Sequence, residues 1–176
     1  MAQNSFTQHC RQEADTAVLA QKLALSIQQF FQVNQSAHLN ISLEGDLGAG
    51  KTTFARHLIQ SLGYDGRVKS PTYTLCEPYP IQIKTDIPNT FTPITVHHFD
   101  LYRMRDPLEW QEAGFVEHFD EPGFCLVEWP EKAEGTLPTL DIEIHLAAGE
   151  AECERILTLK ANSDQGAIVL EKLQLP

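Results

Sequence analysis

Residues Gly45 to Thr52, "GDLGAGKT", carry the most explicit chemistry in this sequence. The pattern GxxxxGK[ST] is met by Gly45, Gly50, Lys51 and Thr52. Gly48 and Gly50 permit backbone angles and a closeness of approach that a Cβ would forbid, so successive N–H groups can point at phosphate oxygens. A helix opening at the end of the loop adds its N-terminal partial positive charge to an anion site. Lys51 supplies a mobile point charge for β and γ phosphates, and the Thr52 hydroxyl can ligate Mg²⁺. Gly45, Asp46, Gly48, Ala49, Gly50, Lys51, Thr52 and Thr53 are the expected nucleotide contacts.

Such a loop needs an acidic partner for the metal. Glu128 ends the apolar run "FCLV", and a buried strand closing on a carboxylate is the Walker B arrangement. Asp100, in "HHFDLYR", ends another strand-like run and is a second candidate. Lys51, Asp100 and Glu128 form the expected catalytic set, with Thr52 and one of the two carboxylates, Glu128 first, as candidates at the metal. His97 and His98 read as strand residues rather than ligands, because no second His or Cys pair stands at metal spacing. An NKxD element for reading guanine is missing from the sequence, so ATP is the expected nucleotide.

The elements that must position these groups can be read from periodicity. Ala20, Leu23, Ala24, Ile27 and Phe31 predict an amphipathic helix over residues 14–31. Leu39, Ile41 and Leu43 alternate as in a strand directly before the glycine loop. Phe54, Ala55, Leu58, Ile59 and Leu62 then predict a helix over residues 52–62, with Gly63 as its stop. Beyond residue 70 come short strand-like runs: "TYTLCEPY", "ITVHHFDLY", "FCLVEW", "LDIEIHL" and "ERILTLK". A short helix is expected around "DPLEWQEAGF". Pro78, Pro80, Pro88 and Pro93 predict an exposed excursion over residues 78–95 between two strands. The segment 162–176 receives no assignment beyond a C-terminal tail.

With 176 residues and no linker or repeat, a single domain is expected. The net charge of −11 opposes direct binding to a nucleic-acid backbone over most of the surface. No apolar run approaches the ~20 residues that span a bilayer, and the first residues lack a signal-peptide layout. Cys10, Cys76, Cys125 and Cys153 are widely spaced without a CxxC pair, which fits a reducing cytoplasm.

The blocks "GDLGAGKTTFAR", "VKSPTYTL", "HFDLYR" and "VEWPEK", in this order, closely resemble the TsaE (YjeE) family over roughly residues 13–138. The resemblance implies an α/β P-loop NTPase-like domain with a mixed β-sheet flanked by helices. It also implies an ATPase supporting two partners, TsaB and TsaD, in placing a threonylcarbamoyl group on adenosine 37 of tRNAs reading ANN codons. In that picture Thr52 and Glu128 match the magnesium positions, and Asp100 matches the aspartate needed for turnover. Thr72, in a segment starting at Ser70, matches a nucleotide-sensing switch, and Trp129 matches the tryptophan beside the Walker B glutamate. Thr16, with Glu13 nearby, matches the region against the adenine. The segment "PIQIKTDIPNTFTPIT" looks longer than is usual in the family.

Three function classes remain: an ATPase serving a tRNA-modifying complex, as the resemblance implies, a small-molecule kinase, and a nucleotide-dependent binding module. A kinase lid needs arginines around the transferred phosphate, and after residue 52 the only close arginine pair is Arg103 and Arg105. Without a lid, water competes with a substrate hydroxyl, and ATP hydrolysis is the natural outcome. Any contact with tRNA is then expected through the partners.

Overall fold

The strand before the glycine loop organises the rest of the fold. β2 (His38–Glu44) is buried on both faces from Leu39 to Leu43, so it needs cover above and below. In the computed structural model, which describes residues 4–173, β2 lies between two parallel neighbours, β5 (Gly123–Glu128) and β6 (Ile142–Ala148). The other strands are β1 (Ser5–Cys10), β3 (Cys76–Lys84), β4 (Phe91–Asp100) and β7 (Arg155–Ala161). The seven-stranded sheet has the order β1-β7-β6-β2-β5-β4-β3. Its middle, β6-β2-β5-β4, is parallel, and antiparallel pairs close both sides.

One face of the sheet packs α1 (Glu13–Val33), α2 (Lys51–Ser61) and α4 (Asp164–Leu173). Leu19, Leu23, Ile27 and Phe31 of α1 and Phe54 and Leu58 of α2 meet Leu39, Ile41, Leu43 and Leu126 there. Asp15 starts α1 by accepting the Gln12 N–H at 3.2 Å, a carboxylate closing the first turn. The other face is covered by α3 (Glu109–Glu112) and short 3₁₀ turns at Val116–Phe119 and Pro130–Ala133, around Phe99, Trp110, Phe119 and Val127. The expected α/β domain with a mixed sheet flanked by helices is present. No helix of the described residues is long and apolar enough to cross a membrane.

The structure corrects the expected excursion over 78–95. Most of that segment is strand, forming the β3–β4 hairpin with a turn at 85–90, and Tyr79, Ile81, Ile83 and Ile94 are buried. Prolines misled the sequence reading because a strand interior excludes them, whereas β3 is the sheet edge and Pro78 and Pro80 lie on its exposed positions. The run "TYTL" is a turn, and the strand starts only at Cys76. Two further elements had no assignment from sequence: β1, which pairs with β7, and α4 within the tail.

Candidate functional site

Parallel strands present their carboxyl ends together, and a crevice there is the usual ligand position of an open α/β sheet. β2 ends at the glycine loop, β5 ends at Glu128 and β4 ends at Asp100. The register sets Leu43 beside Glu128 and Glu128 beside Asp100, so both carboxylates stand level with the start of the loop.

Two glycines in the loop are required by geometry. A Cβ on Gly45 would lie 2.5 Å from the Leu146 carbonyl oxygen of β6, a sub-van der Waals contact. Gly50 has φ +100 at the residue before α2, a left-handed conformation that side chains resist. Beyond Gly50 the first turn of α2 carries Lys51, Thr52 and Thr53 into the site.

A cleft of about 450 Å³ is lined by Gly48, Gly50, Lys51, Thr52, Thr53, Ser70, Thr72, Asp100, Glu128 and Trp129. All ten were expected from sequence. Leu47, Tyr102 and Arg103 complete the lining. Gly45, Asp46 and Ala49 lie on the far side of the loop, beside His145, Leu146 and Arg155. Thr16 and Glu13 border a smaller hollow of about 200 Å³ together with Ala49, Gly50 and Thr53. Gly50 and Thr53 therefore border both the cleft and the hollow, so the two adjoin.

Within the cleft, the Thr52 hydroxyl donates to the Glu128 carboxylate, at 2.9 Å to Oε1 and 3.2 Å to Oε2. Lys51 Nζ donates to the carbonyls of Gly45 at 2.5 Å and Asp46 at 2.9 Å, and lies 4.0 Å from the centre of the Trp129 ring. Burial lowers the Lys51 ammonium from its usual range, while Glu128, Glu131, Asp100 and Asp46 hold it up. Trp129 reaches this position because its backbone is left-handed, φ +59, directly after the end of β5. A left-handed tryptophan is locally strained and is held there by its surroundings. Asp100 Oδ1 accepts the Tyr102 N–H at 3.0 Å. Burial raises the Asp100 carboxyl above the usual aspartate range; that hydrogen bond lowers it and the Glu128 charge raises it further.

Two functional groups escaped the sequence reading. His98 is fully buried, and its Nε2 stands 2.6 Å from Glu128 Oε2. A signal for it exists: His98 and Asp100 are two apart in one strand, so they share a face. Arg155 carries no such signal. It lies 106 positions from Ala49, yet its guanidinium donates to Ala49 O at 2.9 Å and Gly48 O at 3.4 Å, clamping the glycine loop from β7.

His97 points to the opposite sheet face. Its ring stacks on His118, centroids 3.9 Å apart and planes 14° from parallel, with Glu121 at 3.7 Å. Rings this parallel send their nitrogen lone pairs side by side instead of toward one ion, so the trio is an aromatic stack with a carboxylate at its edge.

Comparison with known proteins gives the family of this chain. The sequence pattern of the family described as threonylcarbamoyl adenosine biosynthesis protein TsaE matches residues 10–157. The tRNA threonylcarbamoyladenosine biosynthesis protein TsaE of Haemophilus influenzae is 38% identical over 142 residues, 81% of this chain and 82% of that protein. The protein of the same name from Bacillus subtilis is 37% identical over 123 residues, 69% of this chain and 70% of its own length. The crystal structure of YdiB from Bacillus subtilis superposes with a TM-score of 0.68 at 25% identity, covering 96% of this chain and 93% of that one. With a family match across most of its length and the same fold, the chain belongs to the TsaE family.

Proposed function

We propose that the protein is a Mg²⁺-dependent ATPase and an accessory subunit of a tRNA-modifying complex. In this reading its ATP hydrolysis supports TsaB and TsaD in threonylcarbamoylation of adenosine 37 in tRNAs reading ANN codons. The carrying observation is the Thr52 hydroxyl bonded to the buried Glu128 carboxylate, in one cleft with Lys51 and Asp100. The donors available to a metal there are oxygens, the Thr52 hydroxyl and two carboxylates, a set that suits Mg²⁺. Bound there, the ion would offset phosphate charge and ease attack on the γ-phosphoryl group.

The chain's own groups divide the remaining work. Loop N–H groups and Lys51 hold the phosphates, with Lys51 exchanging its carbonyl partners for phosphate oxygens. Trp129 keeps the Lys51 ammonium over its ring. Asp100 presents a carboxylate to the cleft, where it can hold an attacking water. The hollow beside Thr16 and Glu13 takes the base end of ATP. Among the described residues Arg103 is the only arginine lining the cleft, fewer than a phosphoryl-transfer lid requires, which supports water as the acceptor. The net charge of −11 leaves tRNA to the partners, and the cytoplasm, where tRNA is modified, is the proposed location.

Hydrolysis of ATP by the purified chain, alone and with TsaB and TsaD, tests this reading. Lys51→Ala is expected to weaken ATP binding about 10- to 100-fold, the loss of charged hydrogen bonds to phosphate. Glu128→Gln is expected to keep the fold and most ATP binding while slowing hydrolysis about 100-fold. Unchanged single-turnover hydrolysis in Glu128→Gln would refute the Walker B assignment.

A further inference from the structure

We propose that His98 is a positioning residue that fixes which oxygen of Glu128 is offered to the metal; this rests on the ATPase reading above. The adjacent histidines diverge because β4 alternates its side chains between the two sheet faces. His97 joins the stack with His118, whereas His98 and Asp100 face the glycine-loop side. In the β4–β5 register His98 stands opposite Leu126 and Asp100 opposite Glu128, so His98 reaches Glu128 diagonally along the same face.

Glu128 is 2% exposed and His98 is 0% exposed. His98 Nε2 binds Oε2 at 2.6 Å, and the Thr52 hydroxyl lies nearer Oε1. Thr52 spans both oxygens while His98 holds Oε2 alone, so the carboxylate plane is set from two directions. His98 Nδ1 is the one buried side-chain polar atom without a hydrogen-bond partner among the described residues. An apolar side chain of similar volume would avoid that unpaired nitrogen. Its presence is accounted for by the single bond to Glu128. Without it, the carboxylate is free to rotate about its bond to Thr52, and the geometry offered to a divalent ion is lost.

The test measures metal as well as turnover. Calorimetry follows binding of a non-hydrolysable ATP analogue in EDTA, and electron paramagnetic resonance follows Mn²⁺ uptake by the analogue complex. The proteins are the parent, His98→Leu, His98→Asn and His98→Gln. His98→Leu and His98→Asn are expected to keep analogue affinity in EDTA within about threefold and to lose about 10-fold or more in Mn²⁺ affinity. His98→Gln, whose amide nitrogen reaches the Nε2 position, is expected to stay within about threefold of the parent for both. Should His98→Leu not fold, the Asn and Gln pair decides by the same criterion. Parent-like Mn²⁺ affinity in His98→Asn, or loss in His98→Gln equal to that in His98→Asn, overturns the proposal. A parent that takes up analogue and Mn²⁺ yet never hydrolyses ATP defeats the ATPase reading alone, and a parent that binds no nucleotide overturns both.

Discussion

Asp100 shows how burial and function oppose each other in one side chain. It is 9% exposed, and burial raises its carboxyl above the usual range, partly offset by the Tyr102 N–H. For an acid whose folded pKa is raised, the charged form costs stability. That cost is present at pH values above the folded pKa and disappears as pH falls through it. In EDTA at pH 8, Asp100→Asn should therefore raise the melting temperature, with the gain shrinking as pH falls toward the ordinary carboxylate range. The same substitution should remove ATP turnover. Equal melting temperatures at pH 8 would show that the buried charge costs nothing.

At the scale of elements, the segment from Ser70 to Leu75 joins the cleft to the outer surface. Ser70 Oγ and Thr72 Oγ1 are 2.9 Å apart and both line the cleft, while Tyr73 is 85% exposed. The segment is tied at each end. The Lys69 N–H donates to the Tyr79 hydroxyl at 3.0 Å, and the Leu75 carbonyl accepts the Asp100 N–H at 3.0 Å. Under the proposed function, a contact between Thr72 and the γ-phosphate would thus reach Tyr73 outward and the Asp100 backbone inward, as a nucleotide-sensing loop requires. Thr72→Ala should cost ATP affinity no more than about fivefold, one neutral hydrogen bond. It should abolish ATP-dependent assembly with TsaB and TsaD on size-exclusion chromatography. Equal assembly in ATP, ADP and an analogue, with or without Thr72, would refute the switch.

Across the whole molecule, the side chains of β4 divide between the cleft lined by Asp100 and a second, histidine-rich face. His97 is buried there, and burial lowers its pKa from 6.5 to about 4; His118 and His38 push the same way against Glu121. A depressed histidine stabilises the fold fully above the unfolded value and loses that contribution as pH falls from 6.5 to about 4. Urea unfolding between pH 7 and pH 4 should therefore lose about 3 kcal/mol through this residue. His97→Phe, which keeps an aromatic ring on His118, should remove that part of the slope. An identical slope in His97→Phe would show that other groups carry it.

The glycine loop could be picked out before the fold was known, because a phosphate-binding pattern confines its residues to one short stretch. Gly45, Gly50, Lys51 and Thr52 fall within eight positions, so spacing alone exposes them. Glu128 and Asp100 were readable because each ends an apolar strand, and a parallel sheet gathers strand ends. The β3–β4 hairpin and β1 were not readable. Whether a proline-bearing or polar segment pairs as a strand depends on whether it lies at a sheet edge, and only the completed sheet decides which strand is the edge. Arg155 and His98 mark the same boundary from the side of function. Arg155 reaches the glycine loop because β7 returns next to β6, and His98 reaches Glu128 because β4 pairs with β5 in that register. Local spacing specified the groups of the glycine loop. Tertiary pairing decided which distant side chains hold those groups in place, since their contacts are made across strands and not along the chain.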